Sequence, residues 1–280
     1  MEKHILKKLA WLYMACAMVM PVVVLTGCSD DDDEGGEDIT STEETTQDDE
    51  DSSNENSDDE DSSNENSDDE DSSNIDEISS ATGTDENGFE YVDLGLTSGL
   101  YWARTNIRDA DYESSTPGGS GNHYAWGDTI TKTTYQKSCR TYNIEIDDFS
   151  GDPKYDVATY RRGGHWRMPT KDEFQELINE CECEWTTYKS AKGYKFTGPN
   201  GNSIFIKAAG GEFVATLTNV SYTKYVGTYG YYWSSTPSEN DDGYAYSLKF
   251  GSSSVGISSG YVRYNAHYVR AVYDEDFEYE

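Results

Sequence analysis

The sequence predicts an α+β domain, a twisted antiparallel sheet with one or two helices and long loops, held behind a disordered acidic linker. Three observations predict it. From Phe89 onward, short aromatic segments of alternating character recur between glycines, the pattern of half-buried strands. One stretch carries helix start signals together with an apolar period of 3.6. Residues 29 to 87 hold 27 Asp plus Glu and no Lys or Arg. With almost no apolar side chains, that tract cannot offset the entropy of ordering its chain.

The chain opens on a different kind of segment. Lys3, Lys7 and Lys8 precede an apolar run from Leu9 to Leu25. About 17 residues is short for a bilayer span, and Pro21 interrupts a helix there, so the run reads as an export signal. It ends in Leu25-Thr26-Gly27-Cys28, which resembles the bacterial lipobox. That resemblance implies removal of residues 1–27 as a signal peptide and acylation of Cys28, by palmitate among other chains, through its nucleophilic thiolate. Each buried methylene contributes about 0.8 kcal/mol, so two or three chains anchor permanently without spanning. Ser29 and Asp30 to Asp33 resemble the surface-export signal of Bacteroides-type lipoproteins, which implies an outer-membrane, lipid-anchored protein facing outward.

Residues 28–87 form the linker. Asp51 to Glu60 recurs as residues 61 to 70, and Asp71 to Asn74 begins a third copy. Its residues reach at most ~200 Å fully stretched and average ~45 Å as a neutral coil, which charge repulsion extends. Asp30-x-Asp32-x-Glu34-Gly35 begins like a calcium loop, but Ser41 stands where the closing carboxylate is required, so no metal is assigned. Residues 88 to 280 hold 26 acidic and 18 basic side chains, so most of the formal charge of −33 belongs to the linker. Without clustered Lys and Arg, nucleic acid is excluded as a partner.

Within the domain, residues 88–273, the segments Tyr91–Leu94, Tyr101–Ala103, Tyr194–Phe196, Ser203–Ile206, Tyr244–Phe250 and Tyr268–Val272 read as strands. Gly198-Pro199-Asn200-Gly201 reads as a hairpin turn. Thr170 followed by Glu173 is a capping box, and Phe174, Leu177, Ile178 and Cys181 give the following helix one apolar face. A weaker helix is expected from Pro153 to Tyr160. Asp274 to Glu280 reads as a solvated acidic tail.

Tyr91-Val-Asp-Leu-Gly-Leu-x-Ser-Gly-Leu-x-Trp-Ala103, Tyr124-Ala-Trp-Gly-Asp128, Gly164-His-Trp-Arg-Met-Pro-Thr-x-x-Glu-Phe174, Gly198-Pro-Asn-Gly201, Tyr232-Trp-Ser-Ser-Thr236 and Val269-Arg-Ala-Val272 follow one another in the chain. In that order they resemble the Fibrobacter succinogenes major paralogous domain and its relatives, among them the C-terminal domain of Legionella collagen-like adhesin. The resemblance implies a C-type-lectin-like fold, shared with formylglycine-generating enzymes and with retroelement-diversified proteins. That fold hosts binders and enzymes alike.

The chemistry favours binding. Trp102, Trp126, Trp166 and Trp233 are expected in the core. Arg167 and Arg270 are expected in structural ion pairs, with Glu173 or Asp128. Cys139, Cys181 and Cys183 leave a disulfide from Cys139 to either partner open. His123, His165 and His267 lack metal-ligand spacing. Gly198-Pro199-Asn200 and Trp233-Ser234-Ser235 lack the carboxylates by which animal lectins hold calcium, so neither a metal nor another cofactor is expected. The candidate surface is tyrosine-rich: Tyr222, Tyr225, Tyr229 and Tyr231 in one Gly-punctuated segment, Tyr261, Tyr264 and Tyr268 in another. Tyr, Ser, Gly and Asn supply rigid amphipathic contacts and adaptable hydrogen bonds, and tyrosine faces stack on sugar rings. The expected function is therefore that of a surface-tethered, non-catalytic lipoprotein, adhering through a glycan or protein ligand. A structural subunit of a pilus or envelope assembly is the alternative, and a formylglycine-generating-like enzyme the third.

Overall fold

The computed structural model describes residues 78–109, 117–215 and 218–279. The export segment, Cys28 and the acidic repeats lie outside the described residues. In chain order come β1 (Gly83–Thr84), β2 (Glu90–Asp93), β3 (Tyr101–Ala103) and β4 (His123–Ala125), then α1 (Val157–Arg162), β5 (Trp166–Arg167) and α2 (Lys171–Glu180). A meander follows: β6 (Glu182–Tyr188), β7 (Ala191–Thr197) and β8 (Ser203–Lys207). The last third holds β9 (Gly211–Val214), β10 (Ser221–Lys224), β11 (Tyr229–Pro237), β12 (Tyr244–Gly251), β13 (Ser254–Val262), β14 (Ala266–Tyr268) and β15 (Val272–Tyr273). This is a mixed α+β fold, mostly sheet, with two helices among the described residues. None of the described helices is long and apolar enough to cross a membrane.

The strands form three sheets. One runs β1-β2-β3-β15-β5, so the chain's last strand closes against an early one. The seven-stranded sheet runs β10-β9-β14-β11-β12-β13, with β4 also paired to β14, and its β11–β14 pair is parallel. The third is the β6-β7-β8 meander.

Local chemistry explains the helices. Thr170 Oγ1 accepts from the Glu173 amide at 3.3 Å while Glu173 Oε2 accepts from the Thr170 amide at 2.8 Å. Such a cap contributes about 1 kcal/mol. Phe174 and Leu177 are fully buried, and at Cys181 the backbone turns extended to enter β6. The weaker helix starts at Val157 rather than Pro153, because Asp156 is its N-cap. The buried Asp156 carboxylate accepts from the amides of Gly151, Ala158, Thr159 and Met168 at 2.7–3.1 Å. Burial pushes its pKa up to about 6 against the pull of those four donors.

The domain is larger than its composition shift suggests. Residues 82–87, assigned to the linker by their charge, pack on it: β1 pairs with β2, and Asp85 Oδ2 accepts from Trp166 Nε1 at 2.8 Å. The acidic tail is likewise held, by Asp274 against Arg167 Nη2 at 2.8 Å and by a bridge from Tyr279 to Gly164. The segment Tyr268–Val272 divides into β14 and β15, and between them the chain carries Arg270 into the interior. Trp102, Trp126, Trp166 and Trp233 are all fully buried. Trp102 joins Val92, Phe174, Leu177, Phe196, Ile204, Tyr232 and Phe250 in one core, while the other three share a second.

Candidate functional site

The sheet opposite the main core presents a run of aromatic rings. On β11 successive side chains alternate faces, so Tyr232 enters the core while Tyr229, Tyr231 and Trp233 share the other face. Register brings further rings beside them. Tyr232 pairs with Tyr268, which leaves His267 on the Tyr231 face, and Ala266 pairs with Glu212, which places Phe213 there too. Phe213 lies 5.2 Å from Tyr231 and 5.7 Å from Tyr225 between ring centroids. Tyr231 meets Tyr261 at 5.2 Å, and Tyr225 meets Tyr229 at 5.4 Å. Most of these contacts are edge-on, the geometry that aromatic quadrupoles favour.

Exposure grades across this network. Trp233 and His267 are fully buried and Tyr231 nearly so, whereas Phe213, Tyr229 and Tyr261 are half-buried and Tyr225 is exposed. Tyr222 sits opposite Phe213 in the β9–β10 ladder and is exposed, as are Val220 and Val226 beside it. Lys224 Nζ lies 4.5 Å from the Tyr225 ring, and Lys249 Nζ lies 5.6 Å from the Tyr229 ring. The rim is thus aromatic and cationic. Beyond the same loop, Lys189, Lys192, Lys207 and Val226–Thr228 line an open cleft of about 560 Å³.

The loop that presents Tyr225 is held in an unusual conformation. Tyr225 has φ +68°, a region costly for a side chain with Cβ, and the amides of Thr228 and Tyr229 both donate to its carbonyl at 3.0 Å. Gly210, at φ +73°, lets the Lys224 carbonyl approach so closely that any Cβ would collide with it. Backbone strain of this kind, about 1–3 kcal/mol, persists where surrounding structure enforces it and clusters at binding surfaces.

Beneath the network, His267 stacks on Trp233 at 4.0 Å, and neither of its ring nitrogens has a hydrogen-bond partner among the described residues. Burial, reinforced by nearby His123, holds its pKa well below 6.5. The folded chain keeps it neutral while the unfolded chain takes up a proton below pH 6.5, so stability falls as pH drops through that value. Replacing it with a ring that needs no partner, His267→Phe, is expected to stabilise the protein by about 1 kcal/mol at pH 7. The gain should grow by up to about 1.4 kcal/mol per pH unit below 6.5. Urea titrations of both proteins at pH 7.5 and 5.5 check this.

Of the seven tyrosines read from sequence, Tyr225, Tyr229, Tyr231 and Tyr261 share this network and Tyr222 borders it. Tyr264 is elsewhere, 5 % exposed and edge-on to Tyr142 at 4.9 Å in a small separate core. Tyr268 is buried on the core side. Phe213 and His267 were not candidates, because only strand register brings them to this face, and Trp233, expected in the core, is buried beneath it. Cys139 lies in a different core from Cys181, and Cys139, Cys181 and Cys183 are all free thiols, so the cross-link left open by the sequence is not formed. Burial pushes each thiol up, that of Cys181 to about 12. Arg167 pairs with Glu173 and Asp274, and among the described residues no cluster of three or more His, Cys, Asp or Glu could hold a metal ion.

A family model described as the Lcl C-terminal domain matches residues 94–273. No curated protein and no solved structure gives a significant match.

Proposed function

The chain belongs to the Lcl C-terminal domain family, and from that premise we propose that it is a non-catalytic recognition protein tethered to the outer surface of the outer membrane. The carrying observation is the pre-assembled ring network in which exposed Tyr225 and half-buried Phe213, Tyr229 and Tyr261 surround buried Tyr231, with Lys224 and Lys249 at its rim. Flat apolar faces with polar hydroxyl edges suit a pyranose ring, whose C–H groups stack while its hydroxyls reach the Tyr OH and Lys groups. Rigid packing beneath the surface lowers the ordering cost of binding. A protein ligand would use the same rings as anchors.

The finer fold reading, C-type-lectin-like, is supported by the pairing of β3 with β15, which brings the two ends of the domain together and leaves the intervening chain free to form presenting loops. The raised thiol pKa values weigh against formylglycine-type chemistry, which needs a reactive thiolate. A structural subunit of a pilus or envelope assembly is the second reading, and the uncharged edge of β13 favours it.

A glycan screen of the protein shaved by protease from intact cells tests the first reading. Specific hits are expected, and Tyr225→Ala with Tyr229→Ala should weaken them about tenfold or more, at about 0.5–1.5 kcal/mol per aromatic contact. Hits unaffected by both changes would remove this face from the account.

A further inference from the structure

The free edge of β13 is the feature that the recognition surface leaves unused. β13 pairs with β12 from Gly251↔Ser254 to Tyr244↔Val262, and among the described residues no strand pairs with its other side. Its nine residues, Ser-Val-Gly-Ile-Ser-Ser-Gly-Tyr-Val, contain no charge and no proline. Other sheet ends are guarded. β10 carries Lys224, β6 carries Glu182 and Glu184, β8 carries Lys207, and β1 and β5 are two residues long. Charge, brevity and bulges are how proteins keep edges from pairing; β13 lacks the first two, and its one irregularity lies beyond Ser258.

We infer that β13 is a self-association edge, pairing antiparallel with β13 of a second copy of this chain about a two-fold axis at Gly256. The sequence points to a second copy because Ser254-Val255-Gly256-Ile257-Ser258 is nearly palindromic. Antiparallel pairing about its centre sets Ser254 against Ser258, Val255 against Ile257 and Gly256 against itself, with no like charges opposed. An isologous contact requires this self-complementarity. Val255 and Ile257 are half-buried against the main core beside Ile178 and Trp185. A partner strand covers the apolar area they still expose. The register shift between Ser258 and Tyr261 ends the regular ladder, so the pairing spans Ser254–Ser258.

Geometry then fixes what the pair displays. A two-fold axis through an antiparallel strand pair stands perpendicular to the sheet, so both copies turn the Tyr229–Tyr231 face the same way. Two-point attachment multiplies weak binding to a repetitive surface. The pairing itself requires no ligand, so it stands or falls independently of the recognition reading.

Cysteine cross-linking in the full chain on intact cells tests it. Gly256→Cys places two thiols directly opposite one another, and a Cβ there meets nothing within 4 Å. Ser252→Cys, in the turn between β12 and β13 and outside the paired span, is the control, exposed and directed away from its mate's equivalent position in this arrangement. Under mild oxidation the Gly256→Cys chain should become a disulfide-linked dimer at least about tenfold faster than the control, with the parent chain, whose Cys139 and Cys181 are buried and Cys183 half-buried, giving the background. Gly256→Lys should leave the far-ultraviolet circular dichroism spectrum unchanged and convert the purified chain from dimer to monomer in sedimentation, with a melt that no longer depends on protein concentration. Equal cross-linking at both positions, or a sedimentation profile that Gly256→Lys does not alter, would overturn the inference.

Discussion

Arg270→Ala should leave the domain unfolded or insoluble at 25 °C. Arg270 is fully buried where the three sheets meet. Its Nε donates to Asn106 Oδ1 at 2.8 Å, and its Nη1 donates to the carbonyls of Ala103 and Arg104 at 2.9 and 2.7 Å. Its Nη2 donates to the Phe205 carbonyl on β8 at 3.0 Å. Asn106 passes the network on to Tyr232, whose hydroxyl donates to the Lys207 carbonyl at 2.7 Å. Truncation strands four buried acceptors, at about 1–3 kcal/mol each, and opens a cavity, a loss comparable with a typical domain's whole margin of ~5–15 kcal/mol. Arg270→Lys should rescue little, because an ammonium cannot reproduce the planar fork. Far-ultraviolet circular dichroism and urea melts of both variants, beside the parent, read the effect.

Cys28→Ala is expected to be all-or-none. Without the thiol no thioether forms, so labelled palmitate should be absent from the chain. The domain beyond residue 78 is untouched by the change, so its melt should stay where it was. Palmitate incorporation and a thermal melt measure the two, and a variant that still takes up the label would refute the lipid tether at Cys28.

The helix α2 was legible in full, because Thr170, Glu173, Phe174 and Leu177 encode its cap and its buried face within eleven residues. The strands Ser203–Lys207, a short continuous apolar run buried on both faces, and Tyr244–Gly251 were legible from equally local signals. β11 was harder. Tyr229-Gly-Tyr-Tyr-Trp reads as a tyrosine-rich loop, yet it is a long central strand whose Gly230 is required because the Phe250 ring occupies the space of its Cβ. Local sequence cannot register a contact made by a residue twenty positions away. The aromatic face was half legible: the tyrosine density marked Tyr225, Tyr229, Tyr231 and Tyr261. Phe213 and His267 join only through the β9–β14 and β11–β14 pairings, and Tyr264 leaves because the β13–β14 connection turns it inward against Tyr142. The domain's ends were obscured by charge, since Asp85 and Asp274 look like linker and tail until their partners Trp166 and Arg167 are seen.

Hydroxyl-radical footprinting of the full chain, with and without a glycan or protein that binds it, asks most directly whether the aromatic sheet face is the recognition surface. Ligand should protect Phe213, Tyr225, Tyr229 and Tyr261 while leaving the stack of Tyr91, Tyr101 and Tyr273 on the β1-β2-β3-β15-β5 sheet as reactive as before. Protection confined to that stack, with the sheet face still fully oxidised, would contradict the account.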